Sequence, residues 1–403
     1  MQTVNDPYQE IRPYCDEEVP GAIQRLIQDD EFINAILSYR YPHASGPLGW
    51  LLKPALKLYL TKKWNNIRTV QDVQLHVASY MRKMIKTSCD KVTVSGVENL
   101  DPSQAYLFVS NHRDIAMDPA LVNWCLHQRG LDTVRIAIGD NLLRKPCATE
   151  LMKLNKSFIV KRSAKAPREM MKSLSQLSAY LRLSLDEGQS IWIAQREGRA
   201  KTGEDITDPA ILKMFYMEGR KRKQDFDTYM SDLNVVPVAI SYQNDPCDLD
   251  KATELDAVKR LGAYEKSEFE DIQTIVKGIV GNKRHVHVAF GKPVTPSQNT
   301  PDSMTANSMA ADSMAADSMA AKIDSQIHQL YRLYPANYIA AGVEHDSVTP
   351  AERRLYEQKI AQAPESAREY LQQMYANPVL NQQAAGSVLS NEDVNVVGEQ
   401  SGV

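Results

Sequence analysis

The first part of the chain carries apolar side chains at helical spacing. Residues 22–39 place Ile23, Leu26, Ile27, Ile33 and Leu37 at positions that fall on one side of a helix. The spacing returns over residues 70–84, after a Thr-x-x-Asp sequence typical of a helix N-terminus. These patterns predict a helical N-terminal region over residues 1–91.

From about residue 92 the pattern changes to short apolar runs separated by helical or polar stretches. The runs predict strands at residues 106–110, 134–138, 157–160, 190–194, 235–241 and 285–290. Strands that alternate with helices are typical of an α/β domain, which we place at residues 92–298. We expect a mixed, mostly parallel sheet flanked by helices. Pro237 predicts an edge, a bulge or a strand start at its position.

Beyond the sheet, residues 302–319 repeat every five positions and place methionine at 304, 309, 314 and 319. Because a period of five matches neither helix nor strand, we predict a low-complexity linker over residues 299–320. Residues 321–378 have helical patterns and form a predicted C-terminal extension. Residues 379–403 contain no Lys or Arg and little apolar periodicity, so we predict a disordered tail.

Residues 49–64 interleave leucine with lysine between two tryptophans. Such a helix can lie at a membrane surface, because Trp and Lys favour the headgroup region while Leu enters the apolar layer. An ordinary amphipathic helix packed on a protein core gives the same pattern. Both interpretations stay open from sequence.

Composition and charge argue against a nucleic-acid-binding protein and indicate an anionic partner. The 403 residues are 43% hydrophobic and 24% charged with a net charge of -3, which is typical of a globular protein and not of a nucleic-acid-binding one. Residues 156–223 carry 15 Lys and Arg against 8 Asp and Glu, whereas residues 343–403 carry 4 against 9. The basic middle predicts an anionic partner.

The five cysteines are far apart, which argues against a disulfide framework or a zinc cluster. His285 and His287 alternate with valines on a predicted strand, and we interpret them as exposed strand residues and not as a metal pair. No run reaches the roughly 20 apolar residues of a membrane-spanning helix, and the N-terminus lacks signal-peptide features. We therefore expect a cytoplasmic protein whose membrane contact is peripheral.

The candidate chemistry begins at residues 107–118, where an apolar run ends in a turn containing His112, Asp114 and Asp118. His112 follows a strand, and open α/β sheets bind ligands at the carboxyl ends of their strands. A histidine oriented by a carboxylate can deprotonate an alcohol. The alternative is that Asp114 or Asp118 only caps the following helix.

Two further runs end in cations, at Arg162 and at a glycine-containing turn with Arg199 and Lys201. If these strands are neighbours, the cations converge near His112 and can hold a phosphate. Taken one at a time, they could equally be solvated surface charges.

Together these segments resemble the glycerolipid acyltransferase family, which includes glycerol-3-phosphate and lysophosphatidic acid acyltransferases. The resemblance covers about residues 92–294 and has four blocks in the family's order. The blocks are Asn111-His112 with Asp118, the apolar run ending in Arg162, Glu197-Gly198-Arg199, and Val236-Pro237-Val238.

The resemblance implies an O-acyltransferase that moves a fatty acyl group from acyl-CoA or acyl carrier protein to a lysophospholipid hydroxyl in phospholipid biosynthesis. Glycerol 3-phosphate as acceptor and a non-catalytic lipid-binding protein are the alternatives. His112 would be the general base, oriented by Asp118. Arg162, Arg199 and Lys201 would bind the acceptor phosphate, and Glu197 and Gly198 would shape the turn. The resemblance implies no metal or other cofactor, and the sequence leaves the oligomeric state open.

Two departures from the family pattern bear on these roles. Five residues stand between His112 and Asp118, where the family has four. Either a bulge returns Asp118 to His112, or Asp114 takes its place. Arg199 also comes one position early after Glu-Gly, and Arg196 stands where the family usually has proline.

Overall fold

The computed structural model of the chain describes residues 6–40, 47–163, 166–267, 270–296, 308–386 and 395–396. Its strands are β1 (Lys91–Ser95), β2 (Leu107–Ser110), β3 (Arg135–Gly139), β4 (Ser157–Val160), β5 (Ile191–Ala194), β6 (Val235–Tyr242), β7 (His285–Phe290) and β8 (Asn395–Val396). Its α-helices are α1 (Val19–Gln28), α2 (Asp30–Arg40), α3 (Pro47–Trp64), α4 (Val70–Ser88), α5 (Met117–Gln128), α6 (Pro146–Leu154), α7 (Pro167–Asp186), α8 (Pro209–Phe215), α9 (Met217–Lys221), α10 (Phe226–Asp232), α11 (Asp248–Leu261), α12 (Glu270–Val280), α13 (Ser308–Leu330), α14 (Pro335–Ala341), α15 (Pro350–Gln362) and α16 (Arg368–Ala384).

The chain folds into two compact units, Met1–Tyr80 with Val134–Tyr180, and Met81–Thr133 with Leu181–Val403. Helices α1 to α4 confirm that the N-terminal region is helical, while its predicted bounds at residues 1–91 stay a prediction. Its apolar periodicity is divided between α1 and α2, because Asp29 leaves the helical conformation and its carboxylate accepts a hydrogen bond from Phe32 N (2.8 Å). In the first unit, β3 and β4 pair in parallel.

Helix α3 contains the Leu- and Lys-rich segment. Leu60 is 5% exposed, and Leu56 packs against the same apolar cluster of the first unit. These two leucines therefore belong to the core of the unit and not to a membrane-facing surface. The side of α3 that faces outward carries Leu58 and Tyr59, which are 72% and 48% exposed.

The second unit is built on a sheet with strand order β5-β2-β6-β7-β1-β8. The pairs β2–β5, β2–β6 and β1–β7 are parallel, whereas β6–β7 and β1–β8 are antiparallel. Helices cover the sheet, and α13 to α16 follow it along the chain. The prediction of an α/β fold with a mixed, mostly parallel sheet and a helical C-terminal extension is confirmed.

Pro237 lies inside β6, between β2 and β7, so the prediction of an edge, a bulge or a strand start is wrong. The N and C=O of one strand residue point to the same side, and the Pro237 carbonyl accepts from Gly291 N (2.8 Å). The missing N–H therefore faces Gly291, where the β7 ladder has already ended at Phe290. The proline therefore forgoes only a return bond to Gly291, at the end of the β6–β7 ladder.

The predicted linker over residues 299–320 is wrong for residues 308–320, which belong to α13; the rest lies outside the described residues. A five-residue period does rotate around a helix, since Met314 is 69% exposed while Met319 is 1% exposed. Alanine fills the other buried positions, because it favours helix and fits against any neighbour. Ala315, Ala316 and Ala320 are all buried.

The predicted disordered tail over residues 379–403 is wrong at its start. Residues 379–384 complete α16, and Val379 is fully buried. Asn395 and Val396 pair with β1. Residues 387–394 and 397–403 lie outside the described part.

His285 and His287 do not form an exposed pair. Thr93 Oγ1 lies 2.7 Å from His285 Nε2 and 2.8 Å from His287 Nδ1, and His287 is 4% exposed. Burial lowers the pKa of His285 to about 4 and that of His287 to about 3. Both imidazoles are therefore neutral near pH 7.

Candidate active site

The site forms where β2 ends, beside the ends of β5 and β6. Asn111, just after β2, uses its amide to accept from Ile240 N (2.8 Å) and to donate to Ile240 O (3.0 Å). This pair extends the β2–β6 contact past the strand end and fixes the following residue, His112. The His112 ring also contacts Trp192 of β5, with ring centroids 5.7 Å apart.

His112 and Asp118 form a hydrogen-bonded pair. The distance from His112 Nδ1 to Asp118 Oδ2 is 2.8 Å, and the carboxylate is completely buried. Because a carboxylate only accepts, Nδ1 carries the proton and Nε2 is left as the basic nitrogen. None of the described residues forms a hydrogen bond with Nε2, and the side chain is 14% exposed. The pair can therefore act as a general base toward a bound molecule.

The extra residue before Asp118 is absorbed in a tight loop. Asp118 Oδ2 accepts from the backbone N–H groups of Arg113 (2.6 Å) and Asp114 (2.9 Å) as well as from His112. Asp114 turns away and accepts from Ala116 N and Met117 N at the start of α5. The structure thus places Asp118 against His112, and gives Asp114 the helix-capping contact.

The surroundings of Asp114 also disfavour the charged carboxylate that a histidine partner needs. Burial, and then the neighbouring Asp118, raise the pKa of the Asp114 carboxyl above its ordinary value. Its Oδ2 is buried, without a hydrogen-bond partner among the described residues, and it lies against Gly278 of α12.

Tyr242 completes the bonding of Asp118, donating to its Oδ1 over 2.7 Å. Burial, followed by the charge of Asp118, raises the pKa of Tyr242 well above its ordinary value, so the phenol stays a donor near neutral pH. The sequence analysis missed this residue. The only sequence feature that points to Tyr242 is its position at the carboxyl end of a predicted strand. That position indicates a site residue only once β6 is known to lie beside β2.

The β5–α8 loop (residues 195–208) carries the second candidate element. Gln195 N donates to Ser110 O (2.8 Å) and Ala200 N donates to His112 O (2.7 Å), so the loop runs along the histidine backbone. Gly198 at its outer turn has φ +76°, a conformation that favours glycine. Glu197 and Gly198 are both exposed.

The predicted phosphate ligands have different environments. Arg199, on the β5–α8 loop, has a buried Nη1 without a hydrogen-bond partner among the described residues. Lys201 is already paired with Glu254, Nζ to Oε1 being 2.5 Å. Arg162 is exposed and lies in the first unit, where its backbone N donates to Asp140. The convergence of Arg162 with Arg199 stays a prediction.

A buried ionic network lies under the dyad and was also missed from sequence. Arg113 pairs with Asp205 of the β5–α8 loop, Nη2 to Oδ2 being 2.5 Å. Lys251 is 1% exposed, donates to the Arg113 carbonyl (2.7 Å) and pairs with Asp245. Burial opposes ionisation of Asp245, but Lys251 keeps the pKa of that carboxyl below its ordinary value. These charges fix both the side chain and the carbonyl of Arg113, the residue that follows His112.

Two further properties of the described residues bear on function. Within them, no group of three or more His, Cys, Asp and Glu side chains is arranged to hold a metal ion. None of the described helices combines the length and the apolar character that crossing a membrane requires.

Comparisons with known proteins identify the domain that contains this site. The acyltransferase family model matches residues 91–241, from β1 to the end of β6. A solved structure, the 1-acyl-sn-glycerophosphate (LPA) acyltransferase PlsC from Thermotoga maritima, aligns with 13% identity and a TM-score of 0.31, over 74% of this chain and 93% of that one. No curated protein matches. The matched segment contains the dyad and Arg199, and residues 91–241 form an acyltransferase domain.

Proposed function

We propose that the enzyme transfers a fatty acyl group from acyl-CoA or acyl carrier protein to the hydroxyl of 1-acylglycerol 3-phosphate, as a step of phospholipid synthesis. The observation that carries the proposal is the His112–Asp118 pair beside a loop whose Arg199 has a buried donor without a partner. The histidine can deprotonate an alcohol, and the guanidinium can bind a phosphate. The two groups together suit an acceptor that has both.

The reaction follows from the state of the imidazole. His112 Nε2 takes the proton of the acceptor hydroxyl while the oxygen attacks the thioester carbonyl. The tetrahedral intermediate collapses with cleavage of the C–S bond, and the imidazolium returns the proton to the leaving thiolate. Asp118 stabilises the imidazolium and does not need to change its own protonation.

The acceptor is tested by offering the purified enzyme a mixture of lysophosphatidic acid and glycerol 3-phosphate with an acyl thioester. Mass spectrometry separates the products, because the first acceptor gives a diacyl phosphate and the second a monoacyl phosphate. We expect the diacyl product to dominate. Predominant monoacyl product would assign glycerol 3-phosphate instead, and acyl transfer to neither would contradict the proposal.

Arg199→Met is expected to raise the acceptor KM about 10- to 100-fold with little change in the donor KM, because a charge-assisted contact to phosphate is lost. The matched control is Arg196→Met, an exposed cation of the same loop, which should change the acceptor KM less than about threefold. Steady-state kinetics with each substrate varied in turn make the measurement. Equal effects of the two variants would remove Arg199 from the phosphate site.

We also propose that the enzyme works as a peripheral protein on the cytoplasmic face of a membrane, since its acceptor and product are lipids. The exposed Leu58 of α3 is the candidate contact. Leu58→Asp is expected to reduce cosedimentation with anionic liposomes about tenfold without lowering Tm, because apolar burial in the bilayer is lost. Leu60→Asp, in the core, should instead lower Tm. Unchanged sedimentation of Leu58→Asp would exclude α3 as the contact.

A further inference from the structure

Helix α16, which lies outside the matched family segment, bonds to the backbone of the β5–α8 loop. Asn377 Nδ2 donates to Thr202 O over 2.8 Å. Asn381 Nδ2, one helical turn later, donates to Gly203 O (3.1 Å) and Glu204 O (2.8 Å). Two amide side chains thus bind three successive carbonyls of a segment that has no regular secondary structure.

Helix α13 bonds to the next part of the same loop. Asp324 Oδ1 accepts from Thr207 N over 2.8 Å. His328 Nε2 lies 3.0 Å from Glu204 O and 3.1 Å from Asp205 O. Because both partners are carbonyls, Nε2 must carry the proton and donate. The loop is therefore bound by side chains of two C-terminal helices.

The backbone of the loop also packs closely against the backbone of α16, at Gly203 and Met374. Pro378 has no N–H, so the carbonyl of Met374, four residues earlier in α16, has no helical donor there. Gly203 lies against that carbonyl, and a Cβ at Gly203 would come within 2.4 Å of the Met374 oxygen. Gly203 also has φ +83°. Any other residue at this position is therefore disfavoured both by the backbone conformation and by the contact of its Cβ with the Met374 carbonyl.

The bound loop leads directly to the site. Arg199 precedes Ala200, whose N–H bonds the His112 carbonyl, and Asp205 pairs with Arg113 beside the dyad. We propose that α13 and α16 are positioning elements of the active site, which hold the β5–α8 loop so that Arg199 is preorganised for the acceptor's phosphate. This inference rests on the proposed function of Arg199. Asn377 and Asn381 act through the loop and touch no substrate.

The test uses the full chain with both asparagines replaced, Asn377→Ala and Asn381→Ala. We expect the acceptor KM to rise about tenfold, because Arg199 is no longer held in place for the acceptor's phosphate. The donor KM should stay within about twofold, since Arg199 does not bind the donor. Backbone amides of residues 199–207 should exchange with deuterium faster, while those of β2 and β6 should not change. Gln373→Ala, an exposed amide on the same helix, is the matched control and should behave as the wild type.

Three results would overturn the inference. The first is unchanged exchange at residues 199–207, and the second is faster exchange there with an unchanged acceptor KM. The third is faster exchange throughout the sheet, because the asparagines would then support the whole fold. Should the double variant not fold, Asn377→Ala alone must give the same pattern at about threefold in KM. If the wild type acylates no glycerolipid acceptor, the proposed function fails, while the exchange measurement still decides whether the helices order the loop.

Discussion

His112→Ala is expected to lower kcat by about 10³- to 10⁴-fold while the KM values change little, because the variant has no base to take the hydroxyl proton. The loop around residue 112 should survive the change. Its backbone carbonyl still accepts from Ala200 N, and Asn111 still bonds Ile240. Initial rates of thiol release with and without acceptor measure the effect.

The control for this variant is His76→Ala, which removes an imidazole from α4, a helix distant in sequence from the β2–α5 loop. It should keep kcat within about twofold. Equal turnover of His112→Ala and wild type would end the assignment of His112 as the base, whatever the identity of the acceptor.

Asp118→Asn is expected to lower kcat by about 10³-fold or more. The amide NH₂ can face His112 Nδ1, and Nδ1 must then accept, which moves the imidazole proton to Nε2 and abolishes its basicity. In that orientation the backbone N–H groups of Arg113 and Asp114 also face the amide NH₂ and lose their acceptor oxygen, so we expect a lower Tm as well. Kinetics are therefore compared below the melting transition of the variant.

Asp114→Asn is the matched control, since it changes the neighbouring carboxylate, four positions before Asp118. The acceptor oxygen for Ala116 N and Met117 N is retained, so kcat should fall less than about tenfold. If kcat fell strongly in Asp114→Asn and only slightly in Asp118→Asn, Asp114 and not Asp118 would be the partner of His112.

The strands could be predicted because each is a short, mainly apolar run. The runs at residues 157–160 and 285–290 correspond to β4 and β7 at both ends. Pro237 shows the limit of that reasoning. Whether a proline removes a ladder bond depends on where the neighbouring strand stops, and that is a property of the sheet and not of the run.

The site was predictable where its residues are close in sequence. His112 lies in the β2–α5 loop and Asp118 in the first turn of α5. Their spacing alone left Asp114 as an alternative that only the folded structure resolves. Tyr242, by contrast, meets Asp118 across 124 positions of sequence. No periodicity reports such a contact, because it depends on β6 lying beside β2 and on which residue stands at the strand's end.

The C-terminal helices were harder for a different reason. The five-residue repeat was interpreted by the position of its methionines, yet its alanines supply much of the buried face where α13 packs against α8 and β6. Small residues carry little signal in a hydrophobicity pattern, although they allow close packing. The sequence pattern therefore could not distinguish this helix from a linker.

The repeat in α13 has a consequence for inheritance. The Ser-Met-Ala-Ala units at residues 308–311, 313–316 and 318–321 are identical. If DNA replication added or deleted one five-residue unit, the downstream register would be preserved, because each inner position would receive the same residue from the adjoining copy. The helix would only grow or shrink at its N-terminal end by about 7.5 Å. A change in the number of units would therefore alter the length of α13 while its packed interior stays the same.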